Sequence, residues 1–146
     1  MLEISNFDHV GIRISDRDKS VAFYELLGFE MIADGGYDQG HPLVMLHPTG
    51  ININLLGPAT AGAGENILMD EKPKYPGITH VALKMKDAGA TEKFVTDNGI
   101  AISGRREFRG TKTIFIRDPD RNVLELVGPG PSVAELIAEH VHAENT

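Results

Sequence analysis

The sequence predicts an α+β protein built from two tandem β-α-β-β-β modules, and three observations lead there. The stretch "FDHVGIRISD" at residues 7–16 returns as "ITHVALKMKD" at residues 78–87. One ungapped offset, 80 − 9 = 71, also superposes Phe23 on Phe94, Gly28 on Gly99, Pro48 on Pro119, Leu55 on Leu126 and Gly57 on Gly128. Within each copy an alternating apolar stretch gives way to a helical one and then to three further short apolar runs. A single register serving the whole chain marks a duplication rather than a recurring short motif.

The elements follow in order. "FDHVGIRI" alternates with period two and reads as a strand. Asp16 is placed to cap a helix through "KSVAFYELL", and Gly28 supplies the left-handed residue that ends it. "FEMIA", "PLVMLH" and "ININLLG" read as three strands separated by the turn-rich "DGGYDQG" and "PTG". In the second copy the strand is "HVALKM", the helix "ATEKFVTDN" ends at Gly99, and the remaining strands are "IAIS", "KTIFIR" and "NVLELVG". The second helix is the weaker on propensity because it carries Gly89 and the β-branched Thr91, Val95 and Thr96. A Gly-, Ala- and Pro-rich stretch between the copies suits a linker or lid. After "PGP", Ser132 and Glu135 have capping-box spacing, and Val133, Leu136, Ile137 and Val141 form one apolar stripe, so a C-terminal helix is expected to dock on something. The predicted organisation is a single domain over 1–146, with module 1 at 5–58, a linker at 59–76, module 2 at 77–129 and the final helix at 132–143.

Composition limits the function. A chain of 146 residues with 41% hydrophobic content can bury a real core. A formal charge of −7 without a basic run argues against nucleic acid as a partner. No apolar run approaches a membrane span and the N-terminus lacks the build of a signal peptide, so a cytoplasmic location is expected. With no cysteine, any metal must be held by His, Asp, Glu or amide oxygen.

Period-two geometry then sorts the side chains. Val10, Ile12 and Ile14 share one face of the first strand, while His9, Gly11 and Arg13 share the other. In the repeat His80, Ala82 and Lys84 take the second face. Leu124 and Leu126 are the helix-facing pair of the last strand, which puts Glu125 on the histidine side, and its counterpart at 125 − 71 is Asn54. If the helix-free faces of the two modules turn inward, His9, Asn54, His80 and Glu125 converge, and two imidazoles with a carboxylate are suited to a divalent metal. Arg13 and Lys84 lie on the same face at roughly 13 Å from the histidines, where they can bind an anionic group of a substrate or stand as solvated cations. His41 and His47 read as loop and strand-end residues, His140 and His142 as surface residues, and Arg105, Arg106 and Arg109 as a solvated turn.

"DHVGIRISD…SVAFYELLGF", "THVALKM" and above all "FIRDPDRNVLELVG" resemble the vicinal oxygen chelate superfamily, the glyoxalase, bleomycin-resistance and dioxygenase group, over residues 5–129. The resemblance implies a cupped, mixed sheet of eight strands with the helices outside. His9, His80 and Glu125 match the metal ligands of that superfamily, and Glu125 matches a catalytic position. Position 54 departs from the pattern: glyoxalase I proteins carry Glu there and methylmalonyl-CoA epimerases Gln, whereas Asn54 is shorter and less basic and is assigned to substrate contact with Arg13 and Lys84. The implied activity is that of a glyoxalase-I-like (lactoylglutathione-lyase-type) lyase or isomerase. It would use one divalent ion, Ni, Zn, Mn or Fe, on a small oxygen-bearing substrate, with thiol conjugates among the candidates. The two-His-one-Glu set also resembles fosfomycin-modifying thiol transferases and extradiol dioxygenases, and a metal-free drug- or toxin-binding protein is the alternative from another class. The C-terminal stripe makes a homodimer the expected assembly.

Overall fold

The structure is a computed structural model describing residues 1–146. The chain forms eight strands and three helices in the order β1 (Val10–Arg13), α1 (Arg17–Leu26), β2 (Glu30–Asp34), β3 (Leu43–Leu46), β4 (Asn52–Leu56), β5 (His80–Lys84), α2 (Ala88–Asp97), β6 (Gly104–Phe108), β7 (Thr111–Arg117), β8 (Val123–Val127) and α3 (Val133–Glu144). It divides into two compact units, one of residues 1–77 with 118–122, the other of 78–117 with 123–146.

Each unit carries one four-stranded sheet, ordered β1-β4-β3-β2 in the first and β5-β8-β7-β6 in the second. First and last strands of a module run parallel and the other pairs antiparallel, so both sheets are mixed. The offset of 71 holds at the level of single pairings. Val10↔Ile53 becomes Val81↔Leu124, and Val44↔Asn54 becomes Phe115↔Glu125. Even Asp34↔Leu43 becomes Arg105↔Ile114.

The helices begin and end for the reasons the sequence suggests. Asp16 accepts a hydrogen bond from Lys19 N and Asp87 from Ala90 N, each satisfying an orphan amide of a first turn. Gly28 and Gly99 adopt φ of +103° and +69°, which costs a residue without Cβ nothing. Ser132 and Glu135 complete a reciprocal capping box on α3.

In the first unit the core lies between α1 and its sheet, where Ile14, Tyr24, Leu43, Ile53 and Leu55 are fully buried. In the second, Val95, Ile116 and Leu124 do the same under α2. These are the helix-facing positions that period two assigns. Of the apolar stripe on α3 only Leu136 is buried, while Val133, Ile137 and Val141 remain exposed.

One strand is misplaced by the sequence reading. "IAIS" at 100–103 is not a strand, and β6 lies in "GRREF" instead. The reason is the two-residue turn at Arg109 and Gly110, with φ of +48° and +83°, which starts a tight hairpin and sets the pairing by counting back from Phe108↔Thr111 to Gly104↔Phe115. Arg105 and Arg106 therefore stand in a strand with side chains on opposite faces, rather than in a solvated turn.

Candidate metal and substrate site

The side chains singled out by the repeat sit at the start of each module. His80 opens β5 and His9 precedes β1 by one residue. In both, the residue immediately before fixes the ring: Asp8 Oδ2 lies 2.5 Å from His9 Nδ1, and Thr79 Oγ1 lies 2.8 Å from His80 Nδ1. Engaging Nδ1 leaves Nε2 of each imidazole as the free ligand atom, the arrangement that metal-binding histidines use.

In the second unit the free nitrogen has a destination. His80 Nε2 is 3.0 Å from Glu125 Oε2, and the other carboxylate oxygen, Oε1, accepts a hydrogen bond of 2.8 Å from Arg106 Nη2. Register explains the meeting, since Ala82 and Phe115 flank Glu125 and place His80 and Arg106 on the same face of the sheet. The Glu125 side chain is only 7% exposed, so its charge is held in a partly desolvated place by two cationic or hydrogen-bonding partners. Arg106 is about half exposed and keeps further N–H donors for a ligand.

Asn54, the counterpart of Glu125, sits in the first unit. Asn52 Nδ2 donates to Met45 O at 3.0 Å and to Asn54 Oδ1 at 3.1 Å. The Asn52 amide is oriented by the carbonyl, so Asn54 must offer its oxygen to Asn52 and keeps its NH₂ as the open group. It presents a donor where Glu125 presents an acceptor.

Arg13 and Lys84 are both anchored to backbone. Arg13 Nη1 donates to Gly57 O at 3.4 Å and Lys84 Nζ to Pro131 O at 2.9 Å. Lys84 thereby pins the segment leading into α3, and at the far edge of that face His140 of α3 meets Phe108 of β6 edge-on at 5.4 Å. His47 meets Phe29 edge-on at 5.3 Å and bonds Thr49, a strand-end role.

Arg106 is the partner of Glu125 that sequence reasoning left in a solvated turn. Its signal was the Arg109-Gly110 turn, which would have placed β6 and hence the face of each arginine. In neither unit do three His, Asp or Glu side chains gather at one point.

Residues 6–126 match the model of the Glyoxalase/Bleomycin resistance protein/Dioxygenase superfamily. The chain belongs to this superfamily. Among curated relatives, the glyoxalase domain-containing protein RDO1 of Mycosarcoma maydis is 27% identical over 135 residues, 86% of this chain and 69% of the relative. The structure of a glyoxalase family protein from Enterococcus faecalis is 25% identical with a TM-score of 0.68, covering 84% of this chain and 96% of that one. The fosfomycin resistance protein FosX from Listeria monocytogenes, solved with Mn(II) and sulfate, shares the fold at a TM-score of 0.64 and 16% identity, covering 92% of this chain and 99% of that one. The glyoxalase superfamily holds enzymes and binding proteins alike, so the reaction must be argued from the site.

Proposed function

We propose that this glyoxalase-superfamily chain is a divalent-metal-dependent enzyme acting on a small oxygen-bearing substrate, with His80, Glu125 and His9 as the metal ligands. The observation that carries the reading is the 3.0 Å approach of His80 Nε2 to Glu125 Oε2. An ion about 2.1 Å from each donor, at an angle near 90°, requires donors roughly 3 Å apart, so the pair fits one edge of a coordination shell. His9 is the counterpart of His80, and its Nδ1 is likewise engaged by the preceding residue, which leaves Nε2 to ligate. FosX, a protein of the same fold, is solved with Mn(II), which supports the reading.

A bound divalent ion would polarise a carbonyl or hydroxyl oxygen of the substrate. The residues of the chain do the rest. Thr79 and Asp8 orient the imidazoles, Arg106 holds Glu125 in place, and Asn54 donates its NH₂ to a substrate oxygen. With an amide at position 54 only one carboxylate remains at the equivalent positions. In a glyoxalase-I-like isomerisation Glu125 would therefore accept the proton from one carbon and return it to its neighbour, a one-base transfer. Arg13 and Lys84 take an outer part of the substrate only after leaving the carbonyls they now bond. The functional assembly in this reading is a homodimer.

A second reading rests on the Arg106 contact added to the same pair. Both oxygens of Glu125 are satisfied by His80 and Arg106 alone, which suits a metal-free cup for a small toxin or antibiotic. Elemental analysis of purified protein offered Ni²⁺, Zn²⁺, Mn²⁺ or Fe²⁺ separates the two. Near-stoichiometric metal lost in His80→Ala and Glu125→Gln supports the enzyme, and no metal under any condition leaves the binding protein.

A further inference from the structure

The duplication makes each module a control for the other, and they differ most on the helix side of the sheet. In the first unit β2 and β3 are joined by residues 35–42, and Tyr37 from this loop is buried against the module. Its hydroxyl donates to Ile14 O at 3.4 Å, and its ring lies so close to Gly57 that a Cβ there would come within 1.6 Å of it. Tyr37 is an internal plug.

The second unit has no such plug. The residue at 37 + 71 is Phe108, but the connection between β6 and β7 is reduced to Arg109 and Gly110, so β6 continues through Phe108. The unbroken strand turns the Phe108 ring to the opposite face, where it meets His140. On the helix side the inward positions are also trimmed or made polar, because Val21 and Tyr24 of α1 correspond to Glu92 and Val95 of α2. What remains is a cavity of about 450 Å³. Met85 and Gly128, the counterparts of Ile14 and Gly57, both line it, with Leu126 and Ile114 giving it an apolar floor. The Ile14 carbonyl accepts from both Tyr37 and Ala59 N, whereas Met85 O accepts no hydrogen bond in the structure. Among the charged lining residues Arg105 is paired with Glu92 at 2.6 Å, and the Lys112 ammonium forms no salt bridge, although it lies near enough to act on the Glu92 carboxylate and Glu107 shares the lining.

We propose that this cavity is a second ligand site, separate from His80 and Glu125, that takes a single-ring phenol bearing an anionic substituent. The ring occupies the volume that Tyr37 fills in the first module, the phenol donates to Met85 O, and the anionic group pairs with Lys112. A volume of this size lies within the range of small-molecule pockets.

The test is a titration of ¹⁵N-labelled full-length protein with 4-hydroxybenzoate, phenol and benzoate. Saturable shifts are expected at the amides of 88–92, 105 and 112–114, with none at 80 and 125, and 4-hydroxybenzoate is expected to bind tighter than either partial analogue. Ala88→Phe, which places a ring inside the cavity, abolishes these shifts. Lys112→Ala, at an exposed side chain that does not threaten folding, weakens 4-hydroxybenzoate by about tenfold, roughly 1.4 kcal/mol, and leaves phenol unchanged. Absence of saturable shifts, shifts confined to 80 and 125, or 4-hydroxybenzoate affinity unchanged in both variants would overturn the proposal. Tighter binding of N-acetyltyrosine amide than of 4-hydroxybenzoate would overturn it in favour of a tyrosine from a protein partner.

Discussion

Glu125 illustrates how much a single position depends on its neighbours. Its carboxylate is nearly buried, and Arg106 and His80 each answer one oxygen. Truncating Arg106 leaves Oε1 without a donor. Arg106→Ala is expected to lower stability by about 1 kcal/mol, a modest figure because the guanidinium is half exposed. Urea denaturation beside Arg106→Lys, which can restore one donor, measures it. Asp118 is another buried carboxylate, and it accepts from Tyr24 Oη, Asn122 Nδ2 and the amides of Asp120 and Asn122. Burial pushes its pKa above the ordinary value of 3.8, outweighing the hydrogen bonds that favour the charge. A group whose folded pKa is raised stabilises the fold below its unfolded value, and that contribution is lost as pH rises through the folded value. The stabilisation the parent holds over Asp118→Asn should therefore shrink as pH rises through the window just above 3.8. Melting temperature in Asp118→Asn should be lower throughout, since an amide cannot accept all four bonds, and thermal melts of the pair across that window measure the difference.

Among the elements, the legible ones are those whose signals are local and redundant. The helix caps at Asp16, Asp87 and Ser132 and the terminating glycines are each a residue type at a fixed spacing, and all recur in the structure. Strands β1, β4, β5 and β8 alternate cleanly, so the faces of His9, His80, Asn54 and Glu125 follow from counting. β6 was not legible because "GRREF" is polar, an edge strand with solvent on its side, while "IAIS" has the apolar content of a strand without a partner in register. Turn chemistry outweighed hydrophobicity there. Tyr37 shows the complementary blind spot, since nothing in "DGGYDQG" announces that one ring folds back onto Gly57. Gly57→Ala should collide with that ring and cost about 1–3 kcal/mol, and the double variant with Tyr37→Ala should recover part of the loss, as thermal melts of the single and double variants would reveal.

For the whole molecule, two compact units and an acidic balance of charge set the terms. The chain leaves the second unit at the end of β7, contributes residues 118–122 to the first, and returns as β8. Asp120 ties that loop down by accepting from Ser15 N at 2.8 Å and from Ser15 Oγ at 2.5 Å. Asp120→Ala is expected to loosen the loop, and hydrogen exchange at residues 118–122 should accelerate while amides of α2 and β5 keep their protection. The duplication also gives a wider lesson through Tyr37 and Phe108. An aromatic stands at the same place in both copies, yet one is a wedge in the interior and the other faces away, and no buried side chain had to be invented for the change. Between the equivalent pairs Asp34↔Leu43 and Arg105↔Ile114 both copies have the same number of residues, and how many of them pair decided it. Re-pairing of a turn, with no residue gained or lost, is thus a route by which a copied module opens room for a new guest while its outer ladder pairings stay in register, and replacing residues 106–113 with the sequence of 35–42 would run that history backwards.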